Sequence, residues 1–199
     1  DAGLPGQENK LWKHLEKLKV APEDIKLIVI THAHQDHTGG LKAVALRTGA
    51  EVLCHVDEAG FLRSGANAAV VPHTCLLKRL LALVKETKGA AVEPDILVRD
   101  TFPLNDYGID GKVIHTPGHT PGGISLFADG HVFVGDTLFA GSIGRTDFPG
   151  GDFGTLKSSI QDKLFLLGDD VRVYTGHGPE TTIGHEKRTN PFVGVNAMY

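Results

Sequence analysis

The chain has 199 residues, 41% of them hydrophobic and 22% charged, a balance that suits a folded protein long enough to bury a core of its own. A net charge of −4, with no run rich in lysine or arginine, argues against an extended phosphate-backbone footprint, so nucleic acid is not an expected partner. Apolar stretches such as 27–30 and 132–134 fall far short of the roughly 20 residues that cross a bilayer, and no membrane span is expected.

Leu11, Trp12, Leu15 and Leu18 recur at helical spacing among lysines and glutamate, which predicts an amphipathic helix over residues 7–19 with Trp12 turned to the core. Ala21-Pro22-Glu23-Asp24 ends it, and 25–31 reads as a strand. Directly after that strand, Thr31-His32-Ala33-His34-Gln35-Asp36-His37-Thr38-Gly39-Gly40 places three imidazoles and a carboxylate within six residues. Side chains at 32, 34, 36 and 37 can converge on ions only if the backbone leaves strand geometry and curls, a bend that Gly39-Gly40 is expected to permit. Imidazole suits zinc and iron. A mixed set with carboxylate suits two adjacent ions sharing a water better than one closed structural site, so the chemistry implied is hydrolytic.

A helix is expected from Gly40 to about Thr48, stopped by Gly49, and then a strand over 51–55. This βαβα alternation marks an α/β layered fold. Residues 57–89 read as mostly helical, with Leu76, Leu77, Leu80, Leu81, Leu83 and Val84 forming an apolar stripe and Gly65-Ala66-Asn67 a surface segment. Short strands follow at 96–99, 112–115, 124–127 and 131–134, the last two joined by a tight turn at Ala128-Asp129-Gly130. A helix over 155–167 and a strand over 171–175 complete what reads as one domain spanning 1–199.

Cys54 and Cys75 have neither a CxxC partner nor a basic neighbour, so both are expected as free buried thiols in a reducing, cytoplasmic setting. Three more polar residues stand past apolar strands and beside glycine: His119 in Pro117-Gly118-His119-Thr120, Asp136 in Val134-Gly135-Asp136, and His177 in Gly176-His177-Gly178. The other histidines, His14, His55, His73, His115, His131 and His185, are expected at the surface or hydrogen-bonded in the core.

An HxHxDH loop followed by His, Asp and His in that order resembles the metallo-β-lactamase superfamily, over residues 1 to about 193. More narrowly, residues 135–152 (Gly-Asp-Thr-Leu-Phe-Ala-Gly-Ser-Ile-Gly-Arg-Thr-Asp-Phe-Pro-Gly-Gly-Asp), Thr181 through Glu186 and Asn190-Pro191-Phe192 are similar to short, single-domain glyoxalase II-like hydrolases. The resemblance implies a four-layer αββα sandwich with metals at the rim between two sheets. Such folds open with strands before an Asp-Ala-Gly turn, here residues 1–3, so roughly 25 to 30 preceding residues, a few strands' worth, are expected to be missing.

Carried over residue by residue, the resemblance implies two divalent metal ions, zinc before iron or manganese. His32, His34 and His119 would hold one, Asp36, His37 and His177 the other, and Asp136 would bridge them. It also implies attack of a metal-bridging hydroxide on a thioester such as S-D-lactoylglutathione, with Asp36 orienting the hydroxide and then protonating product. Asp1 is placed as the partner of a ligand imidazole. Arg145 and Asp147 stand where two-domain glyoxalase II enzymes carry a lysine and a tyrosine that hold glutathione, so Arg145 is the candidate substrate contact. Lactones or small esters are alternative substrates. Gly144-Arg145-Thr146-Asp147-Phe148 also resembles persulfide dioxygenases, which would use His32, His119 and Asp136 around one iron. A non-catalytic metal-binding fragment is the remaining alternative.

Overall fold

A computed structural model describes residues 1–66 and 90–197. The helical stripe expected around Leu76–Val84 lies outside the described residues, as do Cys75 and His73.

The chain enters through helix α1 (Glu8–Leu18), which ends where Lys19 takes a left-handed conformation, and reaches strand β1 (Leu27–Val29). Helices α2 (Gln35–Thr38) and α3 (Leu41–Thr48) cross over to β2 (Glu51–His55), and α4 (Ala59–Ser64) precedes β3 (Ile96–Val98). β1, β2 and β3 form a three-stranded parallel sheet in that order, with β1 at one edge. Helical crossovers are what parallel pairing requires.

The second sheet is built largely by hairpins. Strands β4 (Phe102–Pro103), β5 (Gly111–His115), β6 (Ile124–Ala128) and β7 (His131–Gly135) pair antiparallel in sequence. The β6–β7 turn places Asp129 at φ 49° and Gly130 at φ 73°, the paired positive φ values of a two-residue hairpin. A small hairpin, β8 (Leu138–Phe139) with β9 (Ser142–Ile143), leads to helix α5 (Phe153–Asp162), capped by the Asp152 carboxylate accepting the Thr155 N–H at 2.7 Å. The helix expected over 155–167 divides at Lys163 into α5 and a short 3-10 turn, Leu164–Leu166. Strand β10 (Arg172–Thr175) then lies parallel to β7, followed by β11 (Thr181–Thr182) and helix α6 (Ile183–Thr189). The sheet order is β11-β10-β7-β6-β5-β4.

Alternation along the strands explains the layering. In β1 and β2, Ile28, Val52 and Cys54 face helices α3 and α4 with Leu41, Val44, Ala59 and Leu62. Leu27, Val29 and Leu53 face the other way, onto Val113, Ile124 and Leu126 of the second sheet. Val132, Val134 and Val173 on that sheet's far face meet Leu156 and Ile160 of α5. Helices, sheet, sheet and helices are therefore stacked in an αββα sandwich, each fully buried aliphatic side chain contributing roughly 1.5–3 kcal/mol. Trp12 is only half-buried against the helix-side core, its ring 4.4 Å beneath the Arg47 guanidinium. No helix among the described residues is long and apolar enough to cross a membrane.

Cys54 is free and buried on the helix-facing side of β2, where burial, helped by the nearby Glu58 carboxylate, pushes its thiol up to about 12. At pH 8 the thiolate, which is the reactive form, is then roughly one molecule in ten thousand. In a Cys75→Ser variant, Cys54 is expected to resist a chromogenic disulfide reagent at pH 8 while folded and to react fully in denaturant. Rapid labelling of the folded protein would contradict the burial.

Candidate metal centre

Four loops meet at one rim of the sandwich. Past β1 the chain bends at Thr31, and His34, in extended conformation, stands at the N-cap position of the single-turn helix α2, so Asp36 and His37 sit on a helical turn directly after the two histidines. The curl is made by α2 itself. Gly39 and Gly40 both have negative φ, contrary to the expectation that they supply backbone freedom. They are required for close approach instead: a Cβ at Gly39 would overlap the Pro5 ring, and one at Gly40 would lie 2.5 Å from the Ala2 carbonyl oxygen.

His119 lies on the β5–β6 loop, Asp136 just past β7 and His177 just past β10. Because β7 and β10 are parallel, their carboxyl ends deliver Asp136 and His177 side by side, and the Gly176 N–H donates to the Gly135 carbonyl at 2.7 Å. The two sheets are joined at this rim where Ile124 N–H donates to the Thr31 carbonyl at 2.9 Å.

All seven residues named from the sequence come together. Three sets of ligand atoms each fall within 4.8 Å of one another: His32, His34 and His119; His32, His37 and Asp136; and Asp36, His37 and His177. The His34 and His119 ring nitrogens are 3.0 Å apart. Asp136 lies between the outer sets, its Oδ2 3.7 Å from His119 Nε2 and 3.5 Å from His177 Nε2, its Oδ1 3.4 Å from His37 Nε2. His177 Nε2 is 3.0 Å from Asp36 Oδ2. In the first set His32 and His119 are buried and His34 partly so, whereas Asp36 and His177 keep 38% and 56% of their side chains exposed, so solvent reaches the centre from their side.

The outer nitrogens of three imidazoles are already engaged. His37 Nδ1 meets Asp1 Oδ2 at 2.8 Å, His119 Nδ1 meets the Arg145 carbonyl at 2.8 Å, and His32 Nδ1 meets Thr31 Oγ1 at 3.1 Å. Asp1 also accepts the Thr31 N–H and hydroxyl, at 2.6 and 2.8 Å. With the Nδ1 protons so placed, each Nε2 carries an inward lone pair. His32 Nε2, His37 Nε2 and Asp136 Oδ1 are buried with no hydrogen-bond partner. Orphaned acceptors of this kind, converging with three more imidazoles and a second carboxylate, fit divalent cations.

Burial, then His119, pushes the His34 imidazole down to about 4, against the opposing pull of Asp36 and Asp136. Burial, followed by the neighbouring histidines, holds His32 well below the ordinary range. Burial alone would raise the Asp136 carboxyl. Its contact with His37 and the charges of His37, His119 and His177 outweigh that, leaving it below the usual carboxylate range. Neutral imidazoles and an ionised carboxylate are the forms that bind a metal.

The Arg145 side chain is half-exposed, paired bidentately with Asp147 at 2.8 and 2.7 Å, and its guanidinium lies 3.8 Å from the Phe148 ring centroid. Phe148 in turn meets the His34 ring edge-on at 5.8 Å. Sequence reasoning missed Phe148, the orienting role of the Arg145 carbonyl, and Glu58, none of which carries a spacing signal. His55 is buried, bonded to the Arg99 carbonyl at 3.0 Å and stacked on His115 at 4.0 Å, as expected for a core histidine.

The metallo-beta-lactamase superfamily model matches residues 1–177. The chain belongs to the metallo-beta-lactamase superfamily. It is 36% identical over 190 residues to the hydroxyacylglutathione hydrolase GloC of Haemophilus influenzae, spanning 94% of this chain and 84% of that protein. Among solved structures it is similar to the B3 metallo-beta-lactamase BLEG-1, with a TM-score of 0.77, 33% identity and 94% and 85% of the two chains covered. It is also similar to TTHA1623 in a di-iron-bound form, with a TM-score of 0.72, 33% identity and coverage of 93% and 84%. A metal-binding hydrolase fold is thus in hand, and the αββα layering above is that of the superfamily.

Within this superfamily site, Asp1 is the group that fixes the His37 ring and the start of the histidine loop. Asp1→Ala is expected to weaken metal binding about 10- to 100-fold, the usual cost of losing a ligand's outer partner. Competition with a chromogenic chelator measures it, and unchanged affinity would remove Asp1 from the site.

Proposed function

We propose that the chain is a binuclear metal-dependent thioesterase acting on S-D-lactoylglutathione or a close thioester. The observation that carries this reading is the meeting of two three-residue ligand sets at Asp136, whose Oδ2 faces both His119 and His177. The similarity to a hydroxyacylglutathione hydrolase supports the substrate class. His32, His34 and His119 would hold one ion, Asp36, His37 and His177 a second, and Asp136 would touch both. Two such ions, when bound, supply a water that ionises near neutral pH and a Lewis acid for the thioester carbonyl. Five imidazoles and two carboxylates suit zinc, our first assignment, or iron; manganese is third. The di-iron form of a similar protein keeps iron in view. The free, buried thiol of Cys54 fits a reducing, cytoplasmic setting.

The chain's own groups divide the remaining work. The buried histidines wall off one side of the centre from bulk water, so substrate enters past Asp36 and His177. Asp36, at that open lip, would face the second ion through Oδ2, and its other oxygen can take the proton that the attacking water releases and pass it to the departing sulfur. Arg145 stands on Phe148, one side chain away from His34, and by exchanging Asp147 for a substrate carboxylate it would anchor the far end of a glutathione thioester.

Elemental mass spectrometry paired with thioester turnover on the same sample tests the reading. Near two zinc or iron ions per chain are expected, with hydrolysis that a chelator abolishes and added metal restores. One iron per chain with oxygen uptake on a persulfide would favour the dioxygenase chemistry through His32, His119 and Asp136, and preferential β-lactam hydrolysis would overturn the thioester assignment. Arg145→Ala is expected to raise KM for the glutathione thioester about tenfold while kcat changes about twofold or less, the signature of lost uniform binding. An equal fall in kcat would place Arg145 in the chemical step.

A further inference from the structure

Glu58 follows the β2 strand at the corner that leads into α4, and it is 1% exposed. A carboxylate so deeply buried needs hydrogen-bond donors on both oxygens. Oε2 accepts the Ala33 N–H at 2.8 Å, and Oε1 accepts the Gly122 N–H at 3.0 Å. Ala33 sits between His32 and His34, and Gly122 lies three residues beyond His119. The donors are 25 and 64 residues away in sequence, one on the loop after β1 and the other on the loop after β5.

The fit on the Gly122 side is close. A Cβ there would lie 2.6 Å from Glu58 Cγ and 2.7 Å from Oε1, so the glycine is what lets the carboxylate reach the backbone. The Asp36, His37 and His177 set has other supports: the turn of α2, the Asp1 carboxylate on His37, and the Gly176–Gly135 hydrogen bond.

We propose that Glu58 is a positioning residue that holds the loop of His32 and His34 in register with the loop of His119, and so shapes one of the two metal-binding sets without contacting the ion. The proposal rests on the two-ion reading above. Its consequence is asymmetric: losing the clamp disturbs the His32, His34 and His119 set and spares the other. Glu58→Gln is the sharpest change, since the amide oxygen can still accept one N–H while its NH2 group confronts the other donor.

The test is cobalt(II) titration of the metal-free full chain, followed by visible absorption and elemental stoichiometry, for wild type, Glu58→Gln and Gly122→Ala. The glycine variant keeps the carboxylate but pushes it from the opposite side, and it decides the matter if Glu58→Gln does not fold. Expected are two binding phases for wild type and, for each folded variant, one phase retained and one weakened about tenfold or more, with an altered cobalt spectrum. With zinc-loaded protein, kcat is expected to fall about tenfold while KM moves about twofold or less. Two unchanged phases, equal weakening of both, or loss of folding in both variants would overturn the positioning role. A wild-type chain that takes up no cobalt would instead overturn the two-metal reading itself, and the proposal with it.

Discussion

Everything at the rim of this protein depends on holding five imidazoles and two carboxylates within a few ångströms of one another. Such a cluster is unfavourable by itself: burial disfavours imidazolium, as the depressed His32 and His34 show, and inward lone pairs are left without donors. The fold must therefore impose the arrangement from outside. It does so by tying the outer nitrogens of three imidazoles: His37 to Asp1, His119 to the Arg145 carbonyl, His32 to Thr31.

The sandwich is what makes those ties possible. Strand alternation gives each sheet one face toward the other and one toward helices, and the two sheets fix where the strand ends lie. Parallel neighbours β7 and β10 bring Asp136 beside His177. The bond from Ile124 to Thr31 then locks the histidine loop of the first sheet against the second. The result has two unlike halves, one around the buried His32 and His119 and an open one around Asp36 and His177. That asymmetry leaves a substrate one direction of approach, and Phe148, with the Arg145 guanidinium over its ring, lies against His34 in the less exposed half.

Much of this was legible in the sequence. The strands at 51–55 and in the β5–β7 region, and the turn at Asp129-Gly130, follow from short-range patterning and appear within a residue or two of expectation. The metal-seeking residues announce themselves by type, by density, and by position after apolar strands. Elements of two residues, such as β4, β8, β9 and β11, carry no periodicity to read, because they exist only as partners for strands already in place. Gly39-Gly40 shows the limit of local reasoning. The glycines are needed, but for the approach of Pro5 and Ala2 rather than for backbone freedom.

The sequence by itself determined which side chains can bind metal and on which strand ends they lie, because ligand chemistry and strand periodicity are local properties. Tertiary structure alone decided that Asp136 falls between two sets, that Arg145 contributes its carbonyl to His119, and that an unremarked Glu58 joins two ligand loops. Those facts depend on hydrogen bonds between residues tens of positions apart, and such bonds leave no spacing in a one-dimensional string.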